Sequence, residues 1–201
     1  RPTVIDGKIL PMPAYGMKVI SMGNFVEGNT PVIWRGPMLG KILNQFIHDV
    51  VWGDLDHLLL DLPPGTGDMA MDVARMMPRA CLLLVTTPQA VAAGVAARAA
   101  HMARRTNQPI LGVVENMATF ICPHCGQATD IFGEGGAQEL AQELGVEVLG
   151  RIPLVVDVRR AGDLGVPVVL DGNAPRAVKD AFMELARRVV NLVPAGAIQR
   201  G

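Results

Sequence analysis

Two cysteines, Cys122 and Cys125, stand in the segment ICPHCG at residues 121–126. The spacing C-P-x-C-G suits a metal-binding knuckle, because proline shapes the turn and glycine permits the left-handed backbone that lets both thiolates face one ion. A zinc ion or an iron–sulfur cluster normally takes four protein sulfurs. The third cysteine, Cys81, begins a predicted buried strand, so we expect it in the core. Two chains related by a two-fold axis would supply four thiolates to one shared site, which is the favoured hypothesis.

Three other interpretations of the CxxC segment remain open. A thioredoxin-like redox pair should begin a helix, but the residues that follow, GQATD, have no helical pattern. The segment could also be a structural zinc knuckle with no further role. His124 could be a ligand, although between two ligating cysteines its side chain is expected to point to solvent.

A second candidate site is the segment LLLDLPPGTGD at residues 58–68. Ligands of a parallel sheet bind at the carboxyl ends of its strands, and Asp61 falls at the end of an apolar run. An aspartate there suits a magnesium ion held through water, and Gly65 and Gly67 leave room for a phosphate to approach the backbone. The alternative is an ordinary turn in which Asp61 caps the next helix. The apolar run and the glycine spacing favour the phosphate interpretation.

Such a site should be accompanied by a phosphate loop of the form G-x-x-x-x-G-K-[ST], but the sequence contains only a near match. Residues 23–30 read GNFVEGNT, with Asn29 in the place of the lysine that would reach the β- and γ-phosphates. Pro31 follows, and the next residues are extended in pattern, whereas a phosphate loop must open a helix. We therefore interpret this segment as a coincidental turn.

Apolar periodicity predicts alternating strands and helices along the chain. Strands are predicted at 57–62, 81–86, 109–116 and 146–153, with short strands within 3–22; helices are predicted at 36–51, 69–77, 90–105, 135–145 and 174–193. Nearly continuous apolar strands separated by helices indicate an α/β fold with a doubly wound, mostly parallel sheet and helices on both faces. We expect one domain over residues 1–193 and a loose tail over 194–201.

The composition of the chain limits the kinds of molecule that it is expected to bind. Half of the 201 residues are hydrophobic, and 18 basic residues nearly balance 19 acidic ones, which argues against nucleic acid or an anionic membrane as the main partner. The chain has no apolar stretch of about 18 residues, the length of a membrane span, and no signal peptide pattern. With only three cysteines, it is expected to be cytoplasmic.

Taken together, several segments resemble the Mrp/ApbC-type ATPases, iron–sulfur cluster carriers in the MinD/ParA-like branch of the P-loop NTPases. The resemblance covers nearly the whole chain and rests on TPVIWRGPM at 30–38, DLPPGTGD at 61–68, TTPQ at 86–89, GVVENM at 112–117, CPHCG at 122–126 and GRIPL at 150–154.

The resemblance implies a role for each matching residue. Asp61 corresponds to the Walker B aspartate and Gly65 to a switch residue that senses the γ-phosphate. Asn116 corresponds to the side chain that reads adenine, and Pro153 and Leu154 to the loop that packs against the base. Cys122 and Cys125 correspond to the cluster ligands at the dimer interface.

The resemblance also implies the function of the intact protein. It would bind and hydrolyse ATP with Mg²⁺, and it would hold a bridging 4Fe-4S cluster, or Zn²⁺ in aerobic preparations, in a homodimer that serves apo iron–sulfur proteins. Members of the family have their phosphate loop before the point where this chain starts, so the loop is expected in a missing N-terminal portion. A MinD/ParA-like positioning ATPase and a non-catalytic zinc-binding scaffold are the alternatives.

Overall fold

A computed structural model describes residues 2–25, 36–62 and 68–193. The chain divides into two compact units, Arg1–Met77 and Pro78–Gly201, and each is described by itself. The tail predicted at 194–201, Asn29 and Gly65 all lie outside the described residues.

The first unit begins with two short β-hairpins. In each, a two-residue loop of positive φ joins the strands: Asp6 (49°) with Gly7 (76°), and Tyr15 (50°) with Gly16 (78°). Positive φ at both loop positions is the turn geometry that matches the twist of paired strands. The hairpin strands are β1 (Val4–Ile5), β2 (Lys8–Ile9), β3 (Met12–Ala14) and β4 (Met17–Val19), and a 3₁₀ turn follows at Met22–Phe25.

Two helices complete the first unit, α1 (Gly36–His48) and α2 (Asp68–Met76), and they pack against each other. Leu43 of α1 and Val73 of α2 are buried. Helix α1 ends three residues before the predicted 51, because Val50 instead forms a parallel bridge with Ile9.

The prediction of a strand at 57–62 is wrong, because these residues have no regular secondary structure. A strand requires a neighbour to satisfy its backbone N–H and C=O groups, and no described strand pairs with this segment. Leu58 and Leu59 are open to solvent, the latter 85% exposed, whereas Leu60 and Leu62 are half-buried.

The second unit is built on a mixed sheet whose centre is a long strand, β6 (Ile110–Ile121). Strands β5 (Leu82–Thr86) and β8 (Val148–Leu154) flank β6 in parallel, and the short β7 (Ala128–Thr129) pairs antiparallel with its end. Consecutive residues Val113 and Val114 are 0% and 3% exposed. Because successive side chains of a strand point to opposite faces, both faces of the sheet are covered at this level.

Helices cover this sheet. Helix α3 (Ala90–Arg105) packs on β5, α4 (Gly136–Leu144) on β6, and α6 (Arg176–Leu192) on β8, and α5 (Val156–Asp163) follows β8 directly. Small side chains let α3 approach closely, and its alanines Ala96 and Ala100 share one apolar cluster with Leu84 and Val113. The α/β expectation is confirmed, while β7 and α5 were not predicted. None of the helices within the described ranges is long and apolar enough to cross a membrane.

Candidate metal and nucleotide sites

The CxxC segment forms the tip of a β-hairpin made by the end of β6 and by β7. Phe120 pairs with Thr129 and Ile121 with Ala128, and the Cys122 N–H donates to the Gln127 carbonyl at 3.0 Å. These contacts place both cysteines on a short turn beyond the sheet.

The turn between the cysteines is tight. The Gly126 N–H donates to the Cys122 carbonyl at 2.9 Å, and Gly126 has a φ of 71°, in the left-handed region that favours glycine. This is the geometry that the C-P-x-C-G spacing predicts. Cys122 is half-buried and Cys125 is exposed, and both are free thiols.

Hydrogen bonds at this turn change the acidity of one thiol. The backbone N–H groups of Cys125 and His124, followed by the Cys125 side chain, lower the pKa of Cys122. In contrast, burial raises the pKa of Cys81, the third free cysteine. Because the thiolate is the form that binds metal, the hairpin favours metal binding at Cys122 and the environment of Cys81 does not.

The hairpin supplies two thiols and no further clustered ligands. Within residues 2–25, 36–62 and 68–193, no group of three or more His, Cys, Asp and Glu side chains is placed to hold a metal ion. A four-coordinate site at the hairpin would therefore need ligands beyond this described set.

The base of the hairpin is fixed by side chains. Thr119 Oγ1 donates to Asp130 Oδ1 at 2.6 Å, across the two strands of the hairpin. This hydrogen bond, a side-chain hydrogen bond with Glu134 and the positive charge of Arg151 together lower the pKa of Asp130. Asp130 is thus a carboxylate at neutral pH, hydrogen-bonded to the strand that carries the cysteines.

The predicted adenine-binding residues come together on neighbouring strands. Asn116 of β6 is in register with Ile152 of β8, the residue before Pro153 and Leu154. Asn116 Oδ1 accepts a hydrogen bond from the Met117 N–H at 3.0 Å, which orients the side-chain amide. Asn116, Pro153 and Leu154 are all half-buried, so each is partly open to solvent.

An ion pair with one buried and one exposed side chain lies next to these residues. Arg151 Nε donates to Glu115 Oε2 at 2.6 Å, and the Glu115 side chain is only 3% exposed. The two residues are register partners in β6 and β8. The sequence signal that could have identified the pair is a charged residue in each of two strands that are otherwise mainly apolar.

The residues predicted to lie near the phosphates and magnesium, Asp61 and Gly65, do not lie in the same part of the chain as the cysteines and Asn116. Asp61 is exposed and lies in the first unit, whereas the cysteines and Asn116 lie in the second. Gly65 is outside the described residues. The predicted base-binding residues thus lie on the neighbouring strands β6 and β8, the cysteines follow the end of β6, and Asp61 belongs to the other unit.

Comparison with known proteins gives relatives over most of the chain. An iron-sulfur cluster carrier protein of Bacillus subtilis is 48% identical over 189 residues, which are 94% of this chain and 53% of the relative. One of Mycobacterium tuberculosis is 54% identical over 176 residues, 85% of this chain and 46% of the relative. The chain therefore spans about half the length of these curated relatives.

Solved structures show a similar fold. A nucleotide-binding protein from Archaeoglobus fulgidus, in complex with ADP and with Co found in it, superposes with a TM-score of 0.68 at 37% identity, covering 82% of this chain and 64% of that one. The cell division ATPase MinD of Pyrococcus furiosus superposes with a TM-score of 0.56 at 22% identity, covering 79% and 59%, and shares the fold alone. The fold is that of the P-loop NTPases.

The sequence profile of the ParA family, described as NUBPL iron-transfer P-loop NTPase, matches residues 1–190. That match spans both units, including the hairpin and the β6 and β8 strand ends. The chain belongs to this family of iron-transfer P-loop NTPases.

Proposed function

We propose that this chain is part of an iron–sulfur cluster carrier that holds its cargo at the CxxC hairpin. The observation that carries the proposal is a turn that presents two free thiols, Cys122 and Cys125, on an extension of the central strand. Hydrogen bonds lower the pKa of Cys122, which favours the thiolate that iron requires. The relatives named as iron-sulfur cluster carrier proteins support the same assignment.

The cargo is a 4Fe-4S cluster shared by two chains. Such a cluster takes four thiolates, and one hairpin contributes two. A homodimer with the two hairpins facing each other across a two-fold axis completes the set. Zn²⁺ accepts the same four thiolates and would replace the cluster in aerobic preparations.

ATP with Mg²⁺ is the proposed second ligand, bound and hydrolysed by the whole protein. Asn116 is the proposed adenine-reading residue, since a side-chain amide can both donate to and accept from a base edge. Pro153 and Leu154, at the end of the neighbouring strand, would pack against the base. Asp61 is the proposed Walker B residue and Gly65 the γ-phosphate switch.

The proposed mechanism is a carrier cycle in the cytoplasm. Nucleotide binding and hydrolysis bias the arrangement of two subunits, and the change at their interface loads or releases the bridging cluster. Apo iron–sulfur proteins are the recipients. The chain's own contribution is to hold the thiolates on the turn that follows β6.

Anaerobic reconstitution with iron and sulfide tests the proposal. We expect a broad absorption band in the visible region from the bound cluster. We also expect transfer of the cluster to an apo-acceptor protein, because both results depend on the hairpin thiolates. Cys122→Ser and Cys125→Ser should abolish both signals, whereas Cys81→Ser should retain them. Equal cluster retention in all three variants would overturn the proposal.

A further inference from the structure

The two thiols of the hairpin lie on one side of a single helical turn. The Gly126 N–H donates to the Cys122 carbonyl at 2.9 Å, which closes a turn of five residues, and residues 123–125 all have negative φ. Such an α-turn is one turn of helix that is not continued, and residues three apart in it face the same side. The Cys125 thiol is accordingly placed to donate to the Cys122 sulfur.

The spacing of the cysteines in this turn matches that of a disulfide. Cα atoms three residues apart in a helical turn are separated by about 5 Å, and disulfides join Cα atoms that are about 4.4–6.8 Å apart. Pro123, between the cysteines, has a fixed φ, which reduces the number of backbone conformations that closing the ring would exclude. The turn is therefore already close to the geometry of a disulfide-closed ring.

The strand that leads into the turn is held on both sides. The β6–β8 register shifts at the irregular residues 117–119, but Phe120 then pairs with Thr129 of β7 and with Leu154 of β8. The Cys122 N–H donates to the Gln127 carbonyl at 3.0 Å, which closes the hairpin above this pairing. The fold thus fixes the backbone of the turn before any bond forms between the sulfurs.

Small molecules can reach both sulfurs. Cys122 is half-buried, residues 123–130 are all exposed, and both thiols are free. In the part of the chain that the structure describes, no group of three or more metal-ligating side chains surrounds them. A single chain without its partner therefore leaves the two thiols open to oxidation.

We propose that Cys122 and Cys125 form an internal disulfide that switches off the cargo site under oxidising conditions. A disulfide has no thiolate to give to iron, so the carrier is loaded only in its dithiol form. The proposal rests on the proposed function, because it treats the same two sulfurs as the ligands of the cluster. It adds a regulation of that site by the thiol–disulfide balance of the surroundings.

The oxidant in this step is a small disulfide such as oxidised glutathione. One hairpin thiolate attacks a sulfur of the oxidant, which forms a mixed disulfide and releases one thiol. The other hairpin thiolate then attacks the protein sulfur of the mixed disulfide and releases the second thiol. Two electrons pass from the protein to the oxidant, and the two protons of the hairpin thiols end on the released thiols. Two molecules of reduced glutathione reverse the step.

The first experiment detects the internal disulfide by intact-protein mass spectrometry. The metal-free 201-residue chain is equilibrated in mixtures of reduced and oxidised glutathione, quenched with acid and alkylated. We expect the wild type and Cys81→Ser to lose two alkylation sites together, without gaining glutathione. Cys122→Ser and Cys125→Ser, which each keep one hairpin thiol, should instead carry glutathione as a mixed disulfide. Glutathione adducts or disulfide-linked dimers as the main products of the wild type would overturn the proposal and leave the proposed function standing.

The second experiment tests whether the turn prepares the pair for oxidation. The same equilibration is repeated with Cys81→Ser unfolded in urea, where the turn is lost but the two cysteines keep their sequence spacing. We expect the internal disulfide of the folded chain to be favoured at least about tenfold over that of the unfolded chain, because the fold has already restricted the backbone between the sulfurs. Equal values would show that the turn contributes nothing and would overturn the proposal.

The third experiment separates the switch from the proposed function. The dithiol and disulfide forms are each titrated anaerobically with Co²⁺, followed by its thiolate-to-metal absorption. We expect the dithiol form to give this band, the disulfide form to lose it, and reduction by dithiothreitol followed by desalting to restore it. A band of equal strength in both forms overturns the switch and leaves the proposed function standing. A dithiol form that gives no thiolate-to-Co²⁺ band overturns both.

Discussion

At the scale of single residues, the cysteines differ in acidity although all three are free. Backbone hydrogen bonds lower the pKa of Cys122, and burial raises the pKa of Cys81. A lowered pKa means that the thiolate persists to lower pH, and a raised pKa means that the thiol stays protonated to higher pH. The two residues should therefore react with an alkylating agent in different pH ranges.

We predict that iodoacetamide at neutral pH modifies Cys122 well before Cys81 in the metal-free chain. The Cys122 rate should fall as the pH drops through its lowered pKa, and the Cys81 rate should rise only in more alkaline solution. Peptide mass spectrometry after timed quenching measures both rates in one sample. Faster labelling of Cys81 in the folded chain would contradict this assignment.

The residue types and their spacing were enough to predict the geometry of the CxxC turn. Proline and glycine are local signals, and Gly126 has the positive φ that the spacing requires. The Glu115–Arg151 pair could not be predicted, because it depends on which strands are neighbours and in which register. A charged residue in an apolar strand indicates that a partner exists but does not identify it.

At the scale of secondary-structure elements, β6 is the part of the fold that carries most of the site. It contains Asn116, continues through the irregular residues 117–119 and ends at the hairpin of Cys122. The sequence predicted this strand only as far as 116. The extension could not be predicted because its partner, β7, is two residues long and has no periodicity to detect.

Close packing of β6 on β8 depends on Gly112. A Cβ there would lie 2.6 Å from the Glu147 carbonyl oxygen and 2.6 Å from Leu149 Cγ. We predict that Gly112→Ala lowers the free energy of unfolding by about 1–3 kcal/mol, since the strands would have to separate. Urea denaturation followed by circular dichroism measures the change.

The control for this substitution is Gly94→Ala in α3, where an added Cβ meets nothing within 4 Å. A helical glycine with open space should gain about 0.5–1 kcal/mol on replacement by alanine. The account of Gly112 is wrong if its alanine variant is as stable as the wild type.

The hairpin turn depends on Gly126, whose φ is 71° and whose surroundings are open. Gly126→Ala should cost about 1 kcal/mol of backbone strain and weaken metal binding, because the turn that orients both thiols is disturbed. Gly145, at the end of α4 with a φ of 67° and open surroundings, is the matched control. Gly145→Ala should lose similar stability with unchanged Co²⁺ affinity. Equal Co²⁺ affinity in both variants would argue against the turn's role.

Other elements were predicted from periodicity with close agreement, as in α3, where the predicted residues 90–105 match the helix at Ala90–Arg105. The failure at 57–62 has a physical cause, since an apolar run becomes a strand only when another strand pairs with it. The local sequence shows the apolar run, but it does not show whether another strand pairs with it.

At the scale of the whole molecule, the nucleotide and the cluster are proposed to act on one assembly. The 201 residues contain no G-x-x-x-x-G-K-[ST] segment, so we predict that this chain alone hydrolyses no ATP above background. In the whole protein, ATP turnover should be present and should be lost in Asp61→Ala. A phosphate-release assay on both proteins measures this, and turnover by the 201-residue chain that depends on Asp61 would contradict the assignment.

The central claim is that Cys122 and Cys125 of two chains share one cluster, and native mass spectrometry of the anaerobically reconstituted chain tests it most directly. The account predicts a dimer that carries one 4Fe-4S cluster, and a cluster-free, mainly monomeric population for Cys122→Ser and Cys125→Ser. A monomer that holds one metal ion or cluster, or a dimer that retains its cluster after loss of Cys125, would contradict it.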